Sequence, residues 1–135
     1  MKRKLVVICL ILLATAMVSA QDKRLNSAPK SFQTFFASFK RAVSRGQKTA
    51  VADMTQFPFK YGFDAGDEGV MSRNQFLNKF SYIFGKVPSE FFNERNPLFA
   101  LEDDGSFAIL TQDPSSLSFV RSGKTYKFAG YFVEP

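Results

Sequence analysis

The sequence predicts an α+β domain in which N-terminal helices pack on a curved antiparallel sheet that closes into a cone. Three observations carry this expectation. Phenylalanines recur at helical spacing in the first two thirds of the chain, as Phe32, Phe35, Phe36 and Phe39 and again as Phe76, Phe80 and Phe84. The last third changes to short alternating runs separated by turn-forming sequences. The chain also carries 17 Phe and 4 Tyr, all beyond residue 20, and each ring can bury about 150–250 Å². That is enough apolar material for one core without disulfide staples.

The elements follow in order. Residues 1–20 read as an export signal: cationic Lys2, Arg3 and Lys4, an apolar run of 14 residues from Leu5 to Val18, and small Val18, Ser19 and Ala20 ahead of polar Gln21. Spanning a bilayer takes about 20 residues, so this run is expected to be cleaved, leaving an exported protein, periplasmic or secreted, with no transmembrane span. Cys9 lies inside the run and reads as a small apolar residue. Residues 21–30 form a polar leader, with Ser27 as a candidate helix cap and Pro29 at the helix start. Residues 31–135 are expected to form a single domain.

The first helix places Phe32, Phe35, Phe36, Phe39 and Val43 on one stripe and ends at Gly46. A short second helix over residues 48–54 turns Val51 and Met54 inward. Phe57, Phe59, Tyr61 and Phe63 then alternate with Pro58, Lys60, Gly62 and Asp64, the period of a strand with one buried face, and Pro58 suits an edge position. Residues 64–69 read as a solvated acidic loop. Ser72 and Gln75 fit a capping box that opens a helix carrying Phe76, Phe80, Ile83 and Phe84, with Gly85 as its stop. One further turn is expected over residues 88–93. Strands follow over residues 97–101, 106–112, 117–121 and 125–133, separated by Asp103-Asp104-Gly105, by Asp113-Pro114-Ser115-Ser116 and by Ser122-Gly123-Lys124. On the last strand Tyr126, Phe128, Gly130 and Phe132 are expected on one face, with a bend or bulge at Gly130.

The run Phe32-x-x-Phe35-Phe36-x-x-Phe39-Lys40-x-Ala42-Val43-x-x-Gly46-x-Lys48-x-Ala50-Val51, followed by Phe57-Pro58 and residues 72–84, resembles exported bacterial members of the nuclear-transport-factor-two-like superfamily, with its cystatin-like fold. The resemblance is one of pattern and spacing over about residues 31–133. It implies a conical pocket enclosed by helices and sheet. Members of that superfamily include small-molecule isomerases and dehydratases, ligand binders and protein-interaction modules, so the fold does not choose a function. The enzymes use an acid–base pair inside the cone, often Asp with His or with Tyr. This chain has no His, so only a Tyr-plus-carboxylate version survives, and no family catalytic residue maps onto a matching position.

Absence of His also excludes Ser-His-Asp and Cys-His triads and imidazole metal ligands. Asp64, Asp67 and Glu68 lie near glycines, yet an EF-hand starting at Asp64 would need an oxygen ligand at Gly66 and Glu at Gln75. Gly123-Lys124-Thr125 lacks the earlier glycine of a phosphate loop, and Ser27-x-x-Lys30 lacks the companion motifs of a Ser/Lys nucleophile. No catalytic residue, metal or cofactor is therefore expected.

Candidate ligand-binding residues are Tyr61, Asp64, Tyr82, Arg121 and Tyr126, polar handles near an aromatic interior. Charge is uneven: residues 23–52 hold seven basic residues and no acidic one, whereas residues 53–135 hold 8 basic and 11 acidic. Lys40, Arg41, Arg45 and Lys48 form a candidate basic face for an anionic surface or partner. Export argues against nucleic acid. The expected function is a non-catalytic exported binding domain, taking a small apolar ligand in a Phe-rich cone or an envelope protein on the sheet, with a homodimer through the sheet as one arrangement. The alternative is a small lyase or isomerase using Tyr61 and Asp64 as acid and base.

Overall fold

The computed structural model describes residues 24–64, 66–87, 90–93 and 97–134, with the side chains of Asp64 and Glu90 excepted. The expected export signal lies outside the described residues. Among the described residues no helix is long and apolar enough to cross a membrane.

Helix α1 (Lys30–Ser44) buries Phe32, Phe35, Phe36, Phe39 and Ala42. It stops at Gly46, whose φ of 63° suits a residue without a Cβ. Ser27 does not cap it. The Ser27 hydroxyl donates to the Arg24 carbonyl at 2.7 Å inside a short 3₁₀ turn, Leu25–Ser27, and Pro29 takes the cap position without a side-chain bond. Helix α2 (Lys48–Asp53) follows, with Val51 and Ala52 buried.

Strands β1 (Thr55–Asp64) and β2 (Asp67–Met71) form a tight antiparallel hairpin in which Asp64 opposes Asp67. This corrects the solvated-loop expectation: Asp67 and Glu68 lie on a strand, and Gly66 with φ 88° makes the turn. Ser72 then starts helix α3 (Arg73–Asn78) with the expected capping box, its hydroxyl accepting from the Gln75 amide at 3.3 Å and its amide donating to Gln75 Oε1 at 2.8 Å. The predicted single helix is broken at Lys79, and helix α4 (Phe80–Lys86) resumes from it. Phe76, Phe80 and Ile83 stay buried across the break. Gly85 does not stop α4. The chain leaves the helix at Val87, which takes φ −65° and ψ 120°, the extended geometry favoured before a proline such as Pro88. One more turn, α5 (Glu90–Asn93), leads to β3 (Leu98–Leu101), β4 (Phe107–Gln112), β5 (Ser115–Ser122) and β6 (Thr125–Val133).

The six strands run in the order β2-β1-β6-β5-β4-β3. The sheet is mixed, which corrects the all-antiparallel expectation, because β1 pairs with β6 in parallel. The meander β3-β4-β5-β6 and the hairpin β1-β2 are separate antiparallel units that meet at that seam. Strand β1 is therefore interior, not an edge. Pro58 is accommodated at an irregularity: between Thr55 opposite Phe128 and Lys60 opposite Gly130, residues 56–59 of β1 face only Ala129 of β6. Ala129 is also the extra residue of the bulge against β5, where Ser118 opposes Gly130 and Phe119 opposes Phe128. The expected bend at Gly130 is real, and it has a consequence for facing. Tyr131, only 1 % exposed, turns toward the helices in place of Phe132, which lies half-buried over Gly62 and Gly130 on the other side.

The interior is a mesh of rings. Phe32 meets Phe99, Phe119 and Tyr126 at 5.0–5.2 Å between centroids, and Phe128 meets Phe39 and Phe59 at 4.9 Å. Phe32, Phe39, Phe59, Phe76, Phe91, Phe119 and Phe128 have no accessible surface, so no void the size of a water molecule adjoins them. The sheet's far side carries half-buried Phe107, Ile109, Val120 and Phe132 among Ser116, Ser118, Lys60 and Lys127.

Candidate functional site

Among the described residues aromatic rings fill the interior between helices and sheet, and clefts open at the surface. One cleft of about 300 Å³ is lined by Tyr61, Asp67, Met71, Asn78, Lys79 and Tyr82. Its walls follow from three local features. Tyr61 stands opposite Gly69 in the hairpin, and a Cβ at Gly69 would approach the Tyr61 hydroxyl to 3.3 Å, so the glycine lets the ring lie across β2. The break at Lys79 brings Asn78 and Lys79 to the lip. One turn further on, Tyr82 donates its hydroxyl to Asp67 Oδ2 at 2.9 Å and bridges α4 to the hairpin.

Behind the cleft the rings continue as a ladder. Tyr61 and Phe63 are 5.1 Å apart, Phe63 and Tyr82 5.7 Å, and Phe63 and Tyr131 5.1 Å. Lys86 Nζ caps the ladder 4.8 Å from the Tyr82 ring and 5.5 Å from Phe63. Tyr131 holds the end of α4 by donating its hydroxyl to the Lys86 carbonyl at 2.7 Å. Burial pushes the Tyr131 hydroxyl above its ordinary value of 10.0, while a hydrogen bond with Ser115 and the Lys86 charge pull the other way. A raised value favours the protonated phenol in the folded state. The stabilisation is full below about pH 10 and is lost as pH rises through the folded value. Melting temperature measured from pH 8 upward is expected to fall above about pH 10, and Tyr131→Phe is expected to flatten that fall while losing about 0.5–1.5 kcal/mol of stability at neutral pH.

The structure brings Tyr61 and Tyr82 of the expected residues together. The side chain of Asp64 lies outside the described residues, and among the described residues Asp67 is a carboxylate that meets a tyrosine. Arg121 does not line the Tyr82 cleft: its Nε donates to the Gly123 carbonyl at 3.2 Å and it braces its own hairpin turn. Tyr126 is 3 % exposed and packs on Phe32, so it belongs to the core with one edge in a separate groove. Of the basic candidates, Arg41, Arg45 and Lys48 are exposed and Lys40 is half-buried, and Lys48 also sets its Nζ 6.0 Å from the Phe80 ring of α4. The acidic turn at 102–105 is explained locally: Asp104 Oδ1 accepts from the Ser106 amide at 2.8 Å, and hydrogen bonds from Ser106 hold the Asp104 carboxyl below its ordinary range. Among the described residues no group of three or more Asp, Glu or Cys is placed to hold a metal ion. Asp67, Met71, Asn78 and Lys79 were missed by sequence reasoning. For Asp67, the one available signal is Gly66, a turn-forming residue directly after the alternating run 57–64.

No protein-family model matches the sequence, and no curated protein matches it. Among solved structures the chain is similar to two NTF-2 like proteins of unknown function. One is from Silicibacter pomeroyi, at 12 % identity and TM-score 0.43 over 76 % of this chain and 90 % of that one. The other is from Burkholderia xenovorans, at 11 % identity and TM-score 0.42 over 76 % and 83 %. It is also similar to a Xanthomonas campestris protein provisionally described as a calcium/calmodulin dependent protein kinase II association domain, at 15 % identity and TM-score 0.46 over 76 % and 85 %. Likenesses at this level say nothing of ligand or activity.

Proposed function

We propose that the protein is a non-catalytic, exported binding domain that takes a small aromatic or alicyclic ligand in the cleft between Tyr61 and Tyr82. One observation supports this most: two tyrosines and Met71 wall an opening of about 300 Å³ beside a ring-filled interior, the lower end of the size range for small-molecule sites. The ligand's apolar body meets Tyr61, Tyr82 and Met71, and Asn78, Lys79 and Asp67 supply a few polar groups for orientation. Tyr82 is 46 % exposed, so part of its ring surface is open to a ligand.

A second reading has its own observation, the Tyr82 to Asp67 hydrogen bond of 2.9 Å in an open cleft. That is the Tyr-plus-carboxylate arrangement a lyase or isomerase would use. The exposed position of Tyr82 speaks for binding, since acid–base catalysis gains most where water is excluded.

The test uses the protein recovered from the envelope or medium of its native host. Its mass is expected to begin at Gln21, and a thermal-shift screen of small cyclic compounds is expected to give hits whose affinity drops about tenfold or more in Tyr82→Ala. Asp67→Asn keeps an oxygen that accepts from the Tyr82 hydroxyl and is expected to leave binding within a few-fold. A screen without any Tyr82-dependent hit overturns the reading, and turnover of a hit that Asp67→Asn abolishes favours the second.

A further inference from the structure

A groove of about 490 Å³ that shares no lining residue with the Tyr82 cleft is enclosed by α1, the end of α2 and the β5-β6 hairpin. Its floor includes Phe35, Met54 and Tyr126, and its lining includes Lys30, Lys124 and Lys127. The one carboxylate in the lining, Asp53, is engaged by Arg73 at 2.7 Å. None of the three lysines forms an ion pair with a described residue, so the groove carries three uncompensated positive charges beside an apolar floor. The helix adds to the field: α1 starts here with no side-chain cap and no acidic residue in its first turn, leaving the positive end of its dipole unanswered. Neither the basic face expected from sequence nor the Tyr82 cleft includes these lysines.

Lysines without an arginine hold an anion by charge and not by the two-pronged geometry of a guanidinium. An apolar floor in the same groove calls for an apolar chain attached to that charge. We propose that the groove binds a long-chain carboxylate, with its head among Lys30, Lys124 and Lys127 and its chain along Phe35, Met54 and Tyr126. Hydroxyls of Ser31, Thr34 and Thr125 in the lining supply hydrogen bonds to the head.

The test is isothermal titration of the full chain with sodium dodecanoate below its micelle-forming concentration. Binding is expected to saturate at one per chain and to weaken as salt is raised. Lys30→Glu combined with Lys124→Glu, both at exposed positions, is expected to weaken it about tenfold or more. Arg41→Glu combined with Arg45→Glu makes the same change in net charge elsewhere and is expected to leave it unchanged, with thermal melts confirming that both variants fold. Equal affinity for uncharged dodecyl maltoside, equal loss in the two variants, or binding to anionic phospholipid vesicles but not to monomeric dodecanoate would each overturn the proposal.

Discussion

Phe39→Ala is expected to remove about 3–5 kcal/mol of folding stability, a large share of the roughly 5–15 kcal/mol that holds a typical domain together. Phe39 has no accessible surface. Its ring lies 4.9 Å from Phe128, 5.8 Å from Phe119 at nearly a right angle, 5.9 Å from Phe35 and 6.2 Å from Phe84. It therefore joins α1, α4, β5 and β6 at one point. The surrounding rings are anchored on four different elements, so they cannot collapse together into the space left behind, and the cavity remains. Urea unfolding should show the loss as a lower midpoint with an unchanged slope, and the melting temperature should fall by roughly 10 °C or more. Val70→Ala, at a position 57 % exposed, should stay within about 0.5 kcal/mol of the parent. A loss below about 1 kcal/mol at Phe39 would mean that the interior is loosely packed, and the apolar-ligand expectation for the cone itself would return.

The stripe that makes Phe39 so central was legible in the sequence, because burial and helical period coincide in α1. The capping box at Ser72 and the glycine stop at Gly46 were legible for the same reason: each is a local backbone need met by a residue type that few others can replace. The α+β class, with helices on a sheet, followed from these elements and from the change of period in the last third. What failed was non-local. The parallel seam between β1 and β6 joins residues about 70 apart and has no local signature. Strand β2 contributes one buried residue, Met71, at the end of a run of exposed ones, too little for an alternating pattern. The break at Lys79 kept the apolar stripe intact and so left no mark on it.

The site was less legible than the fold. Tyr61 and Tyr82 were visible as aromatic residues with a polar tip, yet their meeting depends on the hairpin that the acidic composition of residues 64–69 disguised as a loop. Asp67 looked interchangeable with Asp64 and Glu68. The hairpin pairing is what carries the Asp67 carboxylate to Tyr82. The basic groove was hidden more deeply, since Lys30 and Lys124 are 94 positions apart, and a charge count by segment assigns Lys124 to the acidic part of the chain.

Gly130→Ala is expected to cost about 1–3 kcal/mol although it adds one methyl group to a residue in a strand, where alanine would ordinarily be tolerated. A Cβ at Gly130 would lie 2.7 Å from Ser118 Oγ, 2.8 Å from Phe132 Cε2 and 3.1 Å from the Lys60 carbonyl oxygen. Two of these neighbours are side chains that can move. The third is backbone in the parallel seam, and moving it separates β1 from β6. Ser118→Ala with Phe132→Ala should therefore relieve part of the effect, making the cost of Gly130→Ala roughly 1 kcal/mol smaller in that background, while the contact with Lys60 keeps it above zero. Gly62→Ala meets the Phe132 ring at 3.2 Å, and its next neighbours, again side-chain atoms, lie at 3.9 Å, so its cost should be smaller. The consequence reaches the cleft. The bulge at Ala129 and Gly130 is what turns Tyr131 inward to hold the Lys86 carbonyl, and Lys86 lies over the Tyr82 ring. A strained seam should loosen α4, and Gly130→Ala should weaken a Tyr82-dependent ligand even at temperatures where the variant is fully folded. Unchanged ligand affinity in a measurably destabilised Gly130→Ala would show that the seam and the cleft are independent.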